Sequence, residues 1–312
     1  MAETYVCLEC GHGQESMNRP CENCGSPRVN TAGLWELKEA ADSALQEASL
    51  SADAHTAAAV GHLREAFEHV VRHLERLSKE RGAESTRERA VTYRRERLGA
   101  IKSGDTPVKL GLPARFVLHV VPAAAFELAA RVDLSGLRPG SSGLIPIVAA
   151  SGSASFTAEH NADGFVAFAG VVYGVYSYAQ LFRDGIAEAV RAPYNAEKSY
   201  IPVHEKLSYE REIVHALAGI LTAQRRLGVE PPLYVMLSLI GVSGHIVLTG
   251  EHGQVAGRVI ERDELLPREL LIGSYDEVFT GSEVDPAKLR SLMKPAFDEV
   301  MQAAALAGSA GA

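Results

Sequence analysis

All four cysteines of this 312-residue chain, Cys7, Cys10, Cys21 and Cys24, fall in two Cys-x-x-Cys pairs separated by ten residues. The x-x spacing lets both sulfurs of a pair reach one ion. Two such pairs supply the four thiolates of a closed tetrahedral zinc site. Gly11 and Gly25 directly follow the second cysteine of each pair. A glycine takes positive φ there at no steric cost, and backbone amides can then steady the sulfurs. One structural zinc is therefore expected. Iron has the same four ligands available and stands as the alternative. Two disulfides would need an oxidising compartment, and the first residues lack the basic and apolar regions of a secretory signal. A cytoplasmic setting is expected. His12 is read as solvated, because four cysteines already fill the shell.

This pattern, over residues 5–28, resembles the zinc ribbon, or rubredoxin-like knuckle pair. A closed zinc does no chemistry, so a ribbon implies a binding surface. Residues 1–30 carry Arg19 and Arg28 against Glu3, Glu9, Glu15 and Glu22, a net charge of −2. That sign is wrong for phosphate and points to a protein partner or to packing against the chain itself. The whole chain has a net charge of −8, which argues against a general nucleic-acid or anionic-membrane binder. It contains no apolar run long enough to span a bilayer.

Residues 31–103 read as a helical connector. Val60, Leu63, Phe67, Val70, Leu74 and Leu77 step three and four apart, a seam that favours helix-on-helix packing. It predicts either a hairpin with a helix at 34–48 or a homodimer. Gly82 predicts a helix end, and Ser85 with Glu88 predicts a capped restart. The next stretch, 87–102, sets six basic residues against Glu88 and Glu96, a net of +4. Arg87, Arg94, Arg95 and Arg97 are its candidate nucleic-acid contacts; the other reading is basic stems packed around an apolar stripe.

From residue 104 the period changes to that of strands. Residues 116–121 alternate and Pro122 stops them; a short helix is predicted at 123–131. Asp163-Gly164 and Asp184-Gly185 are hairpin turns by chemistry. An amphipathic helix is predicted over 205–227, closed by Gly228, and a central strand over 232–240. Asp285 and Pro286 predict a capped last helix, with Pro295 kinking or restarting it. The fold class is α+β: a zinc ribbon at 1–30, a helical hairpin connector at 31–103, and an antiparallel or mixed sheet packed with helices at 104–312.

The run Glu88-Arg-Ala-Val-Thr-Tyr-Arg-Arg-Glu-Arg97, the strand Phe116-Val-Leu-His-Val-Val-Pro122 and the stretches 178–185, 233–244 and 261–267 resemble the region that follows Schlafen AlbA-like domains in bacterial putative DNA- or ATP-binding proteins. The AlbA-like domain itself is absent, so its nucleic-acid activity does not carry over. The company these families keep implies nucleic-acid handling or phage defence.

Motifs for catalysis are incomplete. There is no phosphate-cradling Gly-x-x-x-x-Gly-Lys. Gly241, Ser243 and Gly244 fall one residue short of a nucleophile elbow. His204-Glu205 begins like a zincin helix, but Ser208 stands where the second histidine belongs. His119 is read as a satisfied sheet histidine, Tyr173, Tyr176 and Tyr178 as half-buried strand residues, and Arg183 with Asp184 as a local pair. Arg64 and His69 fit the Arg-x4-His motif and resemble HEPN ribonucleases, which join an arginine and a histidine of two subunits in one RNA-cleaving cleft. That resemblance implies histidine as acid or base and arginine as phosphate clamp. Five residues apart on a helix, the two side chains diverge by about 140°, so a site would need the second subunit. The sequence leans towards a binding protein, with the HEPN-like ribonuclease as alternative.

Overall fold

In the computed structural model, the structure describes residues 5–6, 13–14, 43, 46, 54–127, 131–139, 143–148, 156–171, 174–192, 200–202, 209–249, 254–256 and 259–306. The four cysteines and the helix expected at 34–48, apart from helical residues 43 and 46, lie outside these. Contacts divide the chain into two units, Met1–Glu88 and Arg89–Ala312.

In the first unit, strands β1 (Tyr5–Val6) and β2 (Gly13–Gln14) pair antiparallel, with Val6 opposite Gly13. Helix α1 runs unbroken over Ala54–Ser103, so Gly82 does not end a helix and Ser85 does not start one. Glycine in a helix interior costs roughly 1 kcal/mol relative to alanine, and the flanking turns absorb that cost. On the predicted seam, Val60 and Phe67 are half-buried and Val70 is 55% exposed. The side chains of Leu63, Leu74 and Leu77 lie outside the described residues.

The second unit is built on an eight-stranded sheet: β3 (Phe116–Pro122), β4 (Thr157–His160), β5 (Gly164–Val171), β6 (Gly174–Phe182), β7 (Ala187–Arg191), β9 (Leu233–Ile240), β12 (Glu264–Leu265) and β13 (Leu270–Ile272). Its order is β12-β9-β3-β7-β6-β5-β4, with β13 also on β9, and every pairing is antiparallel. A smaller sheet joins β8 (Tyr200–Pro202), β10 (Ile246–Thr249) and β11 (Gln254–Ala256), with β8 and β10 parallel. Strands β14 (Phe279–Thr280) and β15 (Glu283–Val284) form a separate hairpin.

Strand alternation sorts the side chains. Phe116, Leu118 and Val120 of β3, with Leu233, Val235, Leu237 and Leu239 of β9, enter the main core. There they meet helix α2 (Tyr209–Arg226) through Ile213, Leu217 and Ile220, and helix α3 (Pro286–Ala303) through Met293, Phe297 and Val300. Burying each such side chain contributes roughly 1.5–3 kcal/mol. Val117, His119 and Val121 face the other way. Ala90, Leu98 and Ile101 of α1, spaced for one helix face, cover that side.

Local chemistry placed the punctuation. Gly185 takes φ +85 in the β6–β7 turn, where the Ile186 amide donates to Asp184. Arg183 donates instead to the Ala162 carbonyl, so the expected Arg183–Asp184 pair is not the contact formed. Gly228, at φ +72, follows α2, and Asp285 accepts from the Ala287 and Lys288 amides ahead of α3. Two further expectations are met only in part. The helix at 123–131 is a single 3-10 turn over Ala123–Phe126, and Pro295 sits inside α3 without ending it, because the residues around it keep their hold on the core. No helix among the described residues is long and apolar enough to cross a membrane.

Candidate functional site

The most concentrated polar chemistry of the second unit lies between α1 and the sheet, and it centres on Glu188. This residue alternates with Ala187 and Ala189 in a fully buried strand, so its carboxylate is stranded away from water. A buried carboxylate persists only when its lone pairs are occupied by good donors. Arg97 donates to it twice, Nε to Oε2 at 2.9 Å and Nη2 to Oε1 at 3.0 Å. The Tyr178 hydroxyl donates to Oε1 at 2.8 Å. His119, directly across the ladder on β3, places Nε2 3.1 Å from Oε2. These four contacts fill the roughly four acceptor positions of a carboxylate. Burial alone would raise the Glu188 carboxyl; the hydrogen bonds from His119 and Arg97 outweigh it and hold it at about 2.

The rest of the cluster follows from that anion. His119 presents Nε2 to the carboxylate, and its buried Nδ1 has no hydrogen-bond partner among the described residues. The Tyr93 ring meets His119 edge-on at 5.9 Å. Burial, and then the Glu188 charge, push the Tyr93 and Tyr178 hydroxyls far above the ordinary tyrosine range, so both stay protonated. Arg94, one helix position from the cluster and 5% exposed, reaches only neutral acceptors. Nε donates to Ser238 Oγ at 2.9 Å, Nη2 to the Leu237 carbonyl at 2.7 Å and Nη1 to the Pro267 carbonyl at 3.1 Å. Burial pulls Arg94 down to about 10, which still leaves it charged at neutral pH.

Arg94 and Arg97, expected as nucleic-acid contacts, are thus turned into the protein. Arg87 and Arg95 are exposed. The helix does not present the four arginines as one surface: the guanidinium groups of Arg94 and Arg97 turn inward, onto Ser238 and Glu188. His119 is a sheet histidine held at one nitrogen, and Tyr178 is fully buried rather than half-buried. Arg64 is exposed and lies 3.9 Å from Glu68, while the His69 side chain lies outside the described residues. No group of three or more His, Cys, Asp or Glu side chains among the described residues is placed to hold a metal. Sequence reading missed Glu188; its signal is a lone acid in the otherwise apolar stretch 186–190.

Two further polar features lie elsewhere in the second unit. On the opposite sheet face Arg191 and Glu212 form a buried ion pair, with the Arg191 guanidinium 5.9 Å from the centre of the Phe116 ring. A groove of about 550 Å³ lies between the 259–267 segment and the end of α3, walled by Val259, Leu265, Leu266 and Ala303. It is also lined by Glu261 and Glu299, and Glu299 is held by Arg268 at 2.6 Å. No protein-family model, curated protein or solved structure matches the chain.

Proposed function

We propose that this protein acts by binding, as a zinc-ribbon accessory or regulatory module whose partner is a protein. The observation that carries this reading is the spacing of Cys7, Cys10, Cys21 and Cys24. The β1–β2 ladder supports it, because Val6 pairs with Gly13 and brackets the first cysteine pair, which suits a turn whose two sulfurs converge on one ion. The cysteines would hold one structural zinc, which supplies folding energy rather than a reactive water. The acidic balance of residues 1–30 favours a protein over phosphate. A cytoplasmic setting suits reduced thiolates. The setting in nucleic-acid handling or phage defence rests on the resemblance of residues 86–305.

In the α+β unit, the buried charges of the α1-facing side are held by the protein's own groups. Glu188 has its acceptor positions filled, and Arg94 and Arg97 are committed to the sheet. That arrangement suits a scaffold. The test pairs elemental analysis with an RNA-cleavage assay. One zinc per chain and no cleavage support the binding module. Cleavage by wild type that vanishes in His69→Ala replaces it with the HEPN-like ribonuclease.

A further inference from the structure

Helix α1 carries two opposed instructions. Its backbone is helical without interruption from Ala54 to Ser103. Within that span the sequence holds a helix-ending glycine, Gly82, and then the two residues of a helix-starting box, Ser85 and Glu88. In the continuous helix both signals go unused. Gly82 has no left-handed turn to close, and the backbone amides that the box would satisfy belong to the helical ladder. The division between the two compact units falls at the same point, after Glu88. Beyond it, Ala90, Arg94, Leu98 and Ile101 are buried at three- and four-residue spacing, while Arg87 and Glu88 are exposed.

We propose that α1 is a two-state element with a built-in break point at Gly82–Ser85. In one state it is the continuous helix. In the other, Gly82 takes the left-handed conformation that ends one helix, and Ser85 and Glu88 cap a second that begins there. Breaking the helix gives up a few ladder hydrogen bonds and removes a glycine from a helix interior. It also satisfies the freed amides through the box, so the two states lie close in free energy. The docked segment from Ala90 onward stays on the sheet in both. This inference stands whether or not the ribbon binds a protein.

The experiment is residue-resolved amide hydrogen exchange on the full chain. Amides 83–88 are expected to exchange at least about tenfold faster than those at 92–98. Gly82→Ala should slow 83–88 by about fivefold, the factor that corresponds to the glycine penalty in a helix. Gly61→Ala, at a helical glycine with open space around its Cβ position, should leave 83–88 unchanged. Glu88→Ala separates a built-in restart from a merely weak turn. Glutamate and alanine differ little in helix propensity, so slower exchange at 83–88 in this variant reports loss of the cap in the broken state. The proposal is overturned if 83–88 exchange as slowly as 92–98, or if Glu88→Ala leaves their exchange unchanged or faster.

Discussion

His119 and Glu188 face each other across adjacent antiparallel strands, 3.1 Å from Nε2 to Oε2, and both are fully buried. The pair joins the middle of the sheet to α1, because the same carboxylate takes both hydrogen bonds from Arg97.

Glu188→Gln should destabilise the α+β unit by about 3–5 kcal/mol, since removing one partner of a buried pair leaves Arg97 uncompensated. Chemical denaturation followed by far-UV circular dichroism measures the loss. Adding Arg97→Met should recover part of it. If the double variant is as unstable as the two losses added together, the two side chains do not act as a pair.

Arg94→Lys should cost about 2–3 kcal/mol, because an ammonium cannot reproduce a planar guanidinium reaching Ser238, Leu237 and Pro267 at once. Ser238→Ala should cost only about 1 kcal/mol, as the other two acceptors remain. Equal losses for the two variants would contradict this division of the contacts.

Two carboxylates bend the pH dependence of stability in opposite senses. Glu188 titrates at about 2 when folded, below its ordinary 4.5. The stability it contributes is present above pH 4.5 and lost as pH falls towards 2. Glu210, on α2, is raised to about 7 by burial, with Arg290 opposing and Asp298 adding to the rise. Its protonated form is favoured in the fold, so stability falls as pH rises from 4.5 through 7. Glu210→Gln should flatten that decline. Allowing for the water that still reaches the group, the expected difference between wild type and variant is about 1–2 kcal/mol between pH 4.5 and 7.5. Parallel curves for the two proteins over that interval would show that Glu210 is not the group responsible.

Cys21→Ser should abolish zinc binding and unfold residues 1–30 while the melting of the α+β unit is unchanged, because a structural metal couples binding to local folding. Elemental analysis and differential scanning calorimetry read the two halves of this prediction. A freshly purified, reduced wild type without metal would refute it.

What could be read from the sequence was whatever a few adjacent residues decide. Asp184-Gly185 fixes a turn through its own backbone, Asp285 caps the helix that starts beside it, and Ile213, Leu217 and Ile220 mark a helix face by spacing alone. Glu188 and His119 lie 69 residues apart in the chain, and each stands among apolar neighbours on both sides. In a sheet covered on both faces, the alternation that would reveal which side each residue takes is hidden in continuous apolar runs. The parallel pairing of β8 with β10 was illegible for a related reason: no turn signal links Ile201 to Val247. The stop signal at Gly82 does not show in this structure, where the helix continues on either side of it.

Strand β9 meets β12 at its C-terminal end and β13 at its N-terminal end, and the Pro267 carbonyl between them is held by Arg94. Sheet polymerisation needs a long row of unpaired amides and carbonyls for an incoming chain to zip along. This margin offers two rows, of two and three residues, interrupted by a segment tied to the helix behind it. At the far margin β4 is four residues long and turns exposed Glu159 outward. Among the described residues the sheet ends in brevity on both sides, so its eight strands offer a second copy little to template on.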